Sequence, residues 1–268
     1  MRRALDWLRR HAAIALQFIR IGLIRKSQFR LEFVNQVAMD VIFYASQILF
    51  FEFLYGHTDS IAGWSHAEMR VFLGYFFVAD AFMMVWLGQG WHFSEDLKKG
   101  NLDSVRVRPA SPIFIYFFQR FSVEGMTNML IAAGYLAWGL AQSGVELSPL
   151  TGLAVLWGFA VAWWGRAVTT ILYSTIEFYL VSSGLSKFFE FFLTAFGERP
   201  LDIFTRRLRL FLLHAIPVGA LAYLPASVVL GRLAPWTVAL HSVWLATFGV
   251  LVFRFWKWSF RKYESAMG

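Results

Sequence analysis

The sequence has no cysteine and little charge. None of its 268 residues is cysteine, and only 16% are Asp, Glu, Lys or Arg. The absence of cysteine excludes disulfides, thiolate catalysis and cysteine metal ligands. The charged share lies below the roughly 25% of soluble domains, while 58% of the residues are hydrophobic and 19% are aromatic. This composition excludes an ordinary soluble enzyme and a disordered chain, and it predicts a membrane protein.

Motifs of common catalytic sites are also missing. The chain contains neither the phosphate-binding G-x-x-x-x-G-K-[ST] loop nor the H-E-x-x-H zinc motif. Its six histidines form no i,i+4 pair, which argues against a metal site. The Gly88-Gln89-Gly90 segment lacks the third glycine of a dinucleotide fingerprint and lies in an apolar run, which favours helix packing. We therefore expect no catalytic residue, no metal and no cofactor on this chain.

Long apolar runs dominate the sequence instead. A helix needs about 20 apolar residues to cross the hydrocarbon core of a bilayer, and the alternating strands of a membrane barrel do not occur. We predict an all-α polytopic membrane protein, a single domain over 1–268 with six transmembrane helices. Five of the predicted ranges are 34–55, 70–91, 121–142, 150–173 and 236–256. The sixth span is expected within 174–235.

Basic residues concentrate at both ends of the chain and in the 92–120 loop. Residues 1–30 carry eight basic side chains against one acid, whereas 56–68 contains two acids and neither Lys nor Arg. Loops rich in Lys and Arg face the cytoplasm. We therefore predict cytoplasmic termini, a cytosolic 92–120 loop, a cytosolic tail over 257–268 and an even number of spans. Because the bases form no single patch, we expect no nucleic-acid partner.

The 174–235 region is broken up, and two topologies compete for it. In one, a helix over 178–197 runs outward and 198–230 is a re-entrant outer element containing Pro200, Pro217 and Pro225. In the other, 183–205 is a cytoplasmic amphipathic helix and 209–230 is the fifth span. Charge counting favours the second, because it keeps the bases of 206–209 inside. Irregular backbone at the prolines suits the first, provided that protein surrounds it.

The N-terminal segment 1–30 is predicted to form an interfacial amphipathic helix. Over residues 2–20, basic and polar side chains fall in one arc of a helical projection and apolar side chains occupy the other side. Such a helix lies at the boundary between lipid headgroups and acyl chains. A solvated basic arm is the alternative interpretation.

Five ionisable residues within or next to the predicted spans are candidates for a function: Asp40, Glu52, Asp80, Glu124 and Arg166. Charges at membrane depth usually face the interior of a helix bundle and pair with one another, so they are candidates for a transport pathway. The alternative is a structural contact between helices, which we favour for Glu52 and Glu124 because both lie near span ends. Asp40, Asp80 and Arg166 remain the candidate pathway residues.

The 92–120 loop contains the most specific segment. Its charged residues Glu95, Asp96, Lys98 and Lys99 predict a short helix that presents polar side chains to the cytosol and ends at Gly100. Asp103 is predicted to cap the following turn, and Pro109 and Pro112 to fix an extended arm. A short helix held between two spans suits the docking of a cytosolic partner, while an ordinary connecting loop is the alternative.

These segments resemble the ABC-2 type permease family. The loop matches the form K-G-x-L-D-x-x-x-x-x-P through Lys99-Gly100-Asn101-Leu102-Asp103 and Pro109. A second stretch matches the family's "P-x-x-I-[FY]…L-R…[IV]-P…P-A" run. It consists of Pro200-Leu201-Asp202-Ile203-Phe204, Leu208-Arg209, Ile216-Pro217 and Leu224-Pro225-Ala226. The chain departs from the family at Thr205 and Arg206, where relatives often have proline. The resemblance covers most of the chain and is closest to bacterial permeases of about 260 residues without a fused ATPase.

The resemblance implies a permease subunit of an ATP-driven exporter in a bacterial inner membrane. It further implies pairing with itself or with a sister permease, two cytosolic ATPase subunits that bind the ATP, a coupling helix over 94–104, and the re-entrant topology of 198–230. The alternative is a gradient-driven carrier or channel that acts without an ATPase. Such carriers commonly have paired broken helices, whereas only one broken region is visible in this sequence.

Overall fold

The computed structural model describes residues 2–28, 30–146, 148–180, 185–234 and 236–263. Their regular secondary structure is helical apart from one short β-hairpin. The N-terminal half contains α1 (Arg2–Gln28), α2 (Arg30–Tyr55), strands β1 (Ser60–Ile61) and β2 (Trp64–Ser65), α3 (His66–Phe82), α4 (Phe93–Lys98), α5 (Asp103–Arg106) and α6 (Pro112–Phe118). The C-terminal half contains α7 (Val123–Gln142), α8 (Pro149–Glu177), α9 (Leu185–Gly197), α10 (Arg206–His214), α11 (Tyr223–Val229) and α12 (Trp236–Lys262). The strands pair antiparallel, with Ser60 opposite Ser65.

Four helices in the described residues are long and apolar enough to cross a membrane. They are Arg30–Tyr55, His66–Lys98, Pro149–Glu177 and Trp236–Lys262, and they contain the predicted spans 34–55, 70–91, 150–173 and 236–256. The predicted span 121–142 corresponds to α7, which has 20 residues but is not among these four. Of the predicted span 178–197, residues 178–180 lie in a turn and 181–184 are outside the described residues. The remaining helix α9 has 13 residues, or roughly 20 Å of length.

Helix α3 lies at the centre of the bundle. In its most apolar stretch 78% of the residues are buried, against 17% for α2 and 22% for α12, so α2 and α12 are peripheral. A capping box of Ser65 and Glu68 begins α3. The chain then continues through a π-helical turn, Met83–Leu87, and a 3₁₀ turn, Gly88–His92, into α4. The irregular turns give this long helix a break near its far end, a feature found frequently at functional sites.

Small residues allow α7 to approach α3 closely. A Cβ atom at Gly74 of α3 would lie 2.7 Å from the Cα of Leu136, and one at Gly139 of α7 would lie 2.8 Å from the backbone nitrogen of Val71. Ala132, seven residues before Gly139, is completely buried. Positions seven residues apart share one face of a helix, and small residues at such positions are typical of close packing between transmembrane helices.

Helix α1 runs along the segment that connects α3 to α7. The guanidinium of Arg10 donates to the carbonyl of Pro109 at 3.4 Å, and the ring of His11 contacts Phe114 edge-on at 4.9 Å. At the other end of α1, Lys26 forms an ion pair with Glu124 at 2.7 Å. The predicted helix over 1–30 is therefore present as Arg2–Gln28, and it packs against residues 109–124.

The 201–232 segment packs against the hairpin at the opposite end of the bundle. The indole Nε1 of Trp64 donates to Asp202 at 2.9 Å, and Arg232 pairs with Glu68 at 3.0 Å. Asp202 also pairs with Arg209 at 3.0 Å. The prolines interrupt helix formation here: Pro200 precedes a 3₁₀ turn over Leu201–Ile203, Pro217 precedes one over Val218–Ala220, and Pro225 lies in the first turn of α11.

Candidate functional site

A cluster of largely buried charges joins four helices of the bundle. Arg166 of α8 is 2% exposed, and its guanidinium forms an ion pair with Glu190 of α9. The same guanidinium lies 3.7 Å from a carboxylate oxygen of Asp80 on α3. Two tyrosines complete the cluster, because Tyr173 donates to Glu190 at 3.3 Å and Tyr44 of α2 donates to Asp80 at 3.4 Å. The cluster therefore links α2, α3, α8 and α9.

The charges in this cluster do not balance. Two carboxylates share one guanidinium, and the Nε atom of Arg166 is buried without a hydrogen-bond partner. Buried charges are stable only when they are paired and hydrogen-bonded. The two tyrosine hydroxyls therefore supply donors to carboxylate oxygens that a single arginine cannot satisfy.

Asp40 forms a separate polar site. It is 7% exposed and accepts hydrogen bonds from Gln36 at 2.9 Å and from Asn128 of α7 at 2.8 Å. The structure thus brings together two of the three predicted pathway residues, Asp80 and Arg166, and places Asp40 among neutral amides. Sequence reasoning missed Glu190, although a lone acid between the aromatic residues of 188–192 is the same signal that identified Asp80.

Glu52 and Glu124 are contacts between helices, as the structural interpretation of the sequence expected. Both oxygens of Glu52 accept from the guanidinium of Arg70, at 2.9 and 2.8 Å, and His66 lies 3.0 Å away. This group joins α2 to α3. Glu124 joins α7 to α1 through Lys26.

The connecting segment after α3 begins with the short helix α4. Glu95, Lys98 and Lys99 are exposed there, as predicted, and the oppositely charged Glu95 and Lys99 lie 3.8 Å apart. The predicted exposure of Asp96 is wrong, because this residue is only 8% exposed. The six residues of α4 turn Phe93, Leu97 and Asp96 toward the bundle.

Asp96 organises the underside of α4. Its carboxylate accepts hydrogen bonds from Gln89, from Asn101 at 2.8 Å and from the hydroxyl of Tyr116 at 2.9 Å. These three donors offset the cost of burying the carboxylate. Burial and the neighbouring charge of Asp96 raise the pKa of the Tyr116 hydroxyl well above its usual range. Tyr116 is therefore a permanent donor at neutral pH.

Gly100 ends α4 as predicted. Its φ of +69° lies in the left-handed region that favours glycine. The amide of Gly100 donates to the carbonyl of Leu97 at 3.3 Å, and that of Asn101 donates to the carbonyl of Asp96 at 2.9 Å. This pair of bonds is a Schellman motif, which closes the end of a helix.

The remainder of the connection differs from the sequence expectation. Residues 94–104 form not one coupling helix but α4 and the start of α5, separated by the turn at Gly100. Leu102 holds the position before α5, and Asp103 is its first residue. The predicted extended arm is short, because Pro112 is already the first residue of α6. Proline favours this position, since its fixed φ suits a helix and its missing N–H removes no helical bond.

The fold and these sites define a multi-pass, all-α membrane protein with an intramembrane charge cluster and a charged connecting helix. The family described as ABC-2 family transporter protein matches residues 41–267. Because this range covers most of the chain, the chain belongs to that family, and it has the role of a permease, the membrane subunit of an ABC transporter. No curated protein and no solved structure matches the chain significantly.

Proposed function

We propose that this chain is the permease subunit of an ATP-driven exporter that docks a separate cytosolic ATPase on helix α4. The observation that carries the proposal is the exposed face of α4, where Glu95, Lys98 and Lys99 lie together. The Glu95–Lys99 pair contributes little to the stability of the isolated chain, because exposed ion pairs are worth about 0–1 kcal/mol. Its charges are therefore available to a partner at small cost.

The base of α4 suits the transmission of movement. Asp96 ties the helix to Gln89 and Tyr116, while the Schellman motif at Gly100 fixes its end. Since α4 continues the most buried helix of the bundle, a displacement imposed at α4 reaches α3 directly. In this proposal, α3 then changes the contacts of Asp80 with Arg166, which lie farther along the bundle.

The proposal includes six crossings of a bacterial inner membrane, with both termini in the cytoplasm. In this topology the 178–197 span, which contains α9, crosses outward, and 198–230 is the re-entrant outer element. Support comes from the bonds of Asp202 to Trp64 and of Arg232 to Glu68. These bonds hold the element against the hairpin, at the end of the bundle opposite to α4. The complex contains two permeases, identical or related, and two ATPase subunits.

Reversal of the exposed charges on α4 tests the proposal. The double variant Glu95→Lys, Lys99→Glu keeps the pair but exchanges its signs, so the isolated chain retains its stability while the match with an ATPase is lost. We expect less ATPase to co-purify with the variant, and the loss to be larger at low salt because exposed charges are screened over roughly 10 Å at 0.1 M. Substrate-stimulated ATP hydrolysis falls in parallel.

Glu146→Lys is the matched control. Glu146 is also exposed, but it lies between α7 and α8 at the end of the bundle opposite to α4, so its reversal leaves ATPase association unchanged. Unchanged association and ATP hydrolysis in the α4 variant would contradict the proposed docking site.

A gradient-driven carrier is the second candidate function. The Asp80, Arg166 and Glu190 cluster favours it, because intramembrane carboxylates often belong to ion pathways. Proteoliposomes that contain this chain alone distinguish the two. Transport driven by an ion gradient without an ATPase would replace the exporter proposal, whereas transport that requires the ATPase and ATP supports it.

A further inference from the structure

A polar cavity lies between α1, α2, α7 and the irregular turns that follow α3. It has a volume of about 210 Å³, many times the roughly 10–15 Å³ that one water molecule needs on this measure. Its wall includes charged side chains of both signs, together with an indole. They are Arg25, Asp40, Trp91, His92, Arg120 and Glu124. Neither the charge cluster at Arg166 nor the docking face of α4 includes these residues.

The buried part of the cavity wall is suited to a cation. Asp40 is 7% exposed, and its two hydrogen bonds come from the neutral amides of Gln36 and Asn128. In the part of the chain that the structure describes, no cationic side chain forms an ion pair with Asp40. Beside it, the Oδ1 atom of the fully buried Asn128 has no hydrogen-bond partner. Asn128 itself does not line the cavity, whereas Asp40 does. An ammonium group has three donors and no acceptor, and in the cavity it would supply the counter-charge that Asp40 lacks.

The exposed part of the wall is suited to an anion. Arg25, His92 and Arg120 are all exposed, so their charged ends are accessible to a ligand. Guanidinium groups bind phosphate through paired hydrogen bonds. The indole Nε1 of Trp91 is a further donor, buried and without a partner. A purely anionic ligand would meet the uncompensated charge of Asp40, and a purely cationic one would meet two guanidiniums.

We infer that this cavity binds a zwitterion that carries an ammonium and a phosphate a few bonds apart. The ammonium lies against Asp40, and the phosphate lies against Arg25 and Arg120. The headgroup of phosphatidylethanolamine and a soluble aminoalkyl phosphate share this chemistry. Binding needs no ATPase and no transport, so the inference stands or fails independently of the proposed function.

Calorimetric titration of the purified full chain in detergent tests the site. The probes are dihexanoyl-phosphatidylethanolamine, the same lipid with a glycerol headgroup, which lacks the ammonium, and phosphoethanolamine, which lacks the acyl chains. We expect the ethanolamine lipid to bind, and Asp40→Asn to weaken its binding about tenfold or more because a bond to a charged group is lost. Asp40→Asn leaves the glycerol lipid unaffected or improves its binding.

A second variant and a control keep the test independent of folding. Arg120→Gln changes an exposed residue and should weaken both lipids, whereas Arg207→Gln, an exposed arginine of α10, should weaken neither. Binding of phosphoethanolamine with the same dependence on Asp40 would identify a soluble ligand, and binding of the lipid alone would identify a lipid headgroup. Equal binding of the two lipids with no effect of Asp40→Asn, or no binding by the unaltered chain, would overturn the inference.

Discussion

At the scale of single residues, the charge cluster shows how charged side chains are accommodated within the membrane. A charged group in hydrocarbon is costly and is usually paired, and Arg166 has two acidic partners from two other helices. Removal of the arginine would leave Asp80 and Glu190 close together without a counter-charge. The cluster therefore contributes to the arrangement of the helices.

The first prediction concerns Arg166→Met. Breaking a buried ion pair by removing one partner costs about 3–5 kcal/mol, so this variant should be strongly destabilised, with a lower melting temperature in detergent. Adding Asp80→Asn and Glu190→Gln removes the uncompensated charges and should recover much of the loss. The exposed residue Arg207, changed to Met, is the control. A melting temperature equal to that of the unaltered chain would show that Arg166 makes no ion pair of consequence.

The second prediction separates two adjacent acids of α4. Asp96→Ala leaves Gln89, Asn101 and Tyr116 without their acceptor and should cost about 2–4 kcal/mol. Glu95→Ala changes an exposed residue and should alter stability by about 0.5 kcal/mol or less, yet it should reduce ATPase association. Denaturation midpoints and co-purification measure the two effects. The reverse result, a stable Asp96 variant and an unstable Glu95 variant, would refute the described orientation of α4.

At the scale of helices and strands, the sequence predicts which long helices are present better than it predicts the contacts of single residues. Apolar runs of about 20 residues identify α2, α3, α8 and α12, because their length is dictated by the bilayer itself. The environment of residues in the short helices is less predictable. Because Asp96 is charged, the sequence predicts that it is exposed. Its contacts with Gln89 and Tyr116 follow from the fold, and no local sequence pattern indicates them. The same holds for Glu190 and Arg166, which only the fold brings together.

Gly100 illustrates the opposite case. A glycine after a short charged helix predicts a left-handed residue at the helix end, and the structure has it with φ of +69°. Local backbone geometry depends on a few adjacent residues, so it can be predicted from the sequence. Contacts across the bundle depend on how helices are arranged, which the periodicity of one helix does not specify.

The third prediction concerns the contact of α7 with α3. Gly139→Leu forces a side chain against the backbone at Val71, and overpacking of this kind costs about 1–3 kcal/mol. Gly134 lies on the same helix, but a Cβ added there meets nothing within 4 Å. Gly134→Ala should therefore be neutral or stabilise the chain by up to about 1 kcal/mol. Thermal unfolding in detergent compares them, and equal melting temperatures would contradict the close approach.

At the scale of the whole molecule, the two ends of the bundle differ in their elements and in the number of basic residues. At one end, α1 and the 93–122 connection lie together, joined by contacts such as Arg10 with Pro109 and Lys26 with Glu124. At the other, the hairpin binds the 201–232 segment through Trp64 and Asp202. The first end carries the larger number of bases, so the positive-inside rule predicts that it faces the cytoplasm. An ATPase and a re-entrant element would therefore occupy opposite sides of the membrane.

The last prediction tests this arrangement by labelling. The chain has no cysteine, so a single introduced cysteine reports its own side. Thr205 is exposed and lies three residues from Asp202, whose bond to Trp64 places it beside the hairpin. In intact cells with a permeabilised outer envelope, Thr205→Cys should react with a membrane-impermeant maleimide, as should the exposed hairpin variant Ser60→Cys. Lys98→Cys, on the exposed face of α4 that we propose to be cytosolic, should react only after lysis. If Thr205→Cys instead behaves like Lys98→Cys, the 198–230 element lies on the cytoplasmic side and the charge count over Arg206, Arg207 and Arg209 decides the topology.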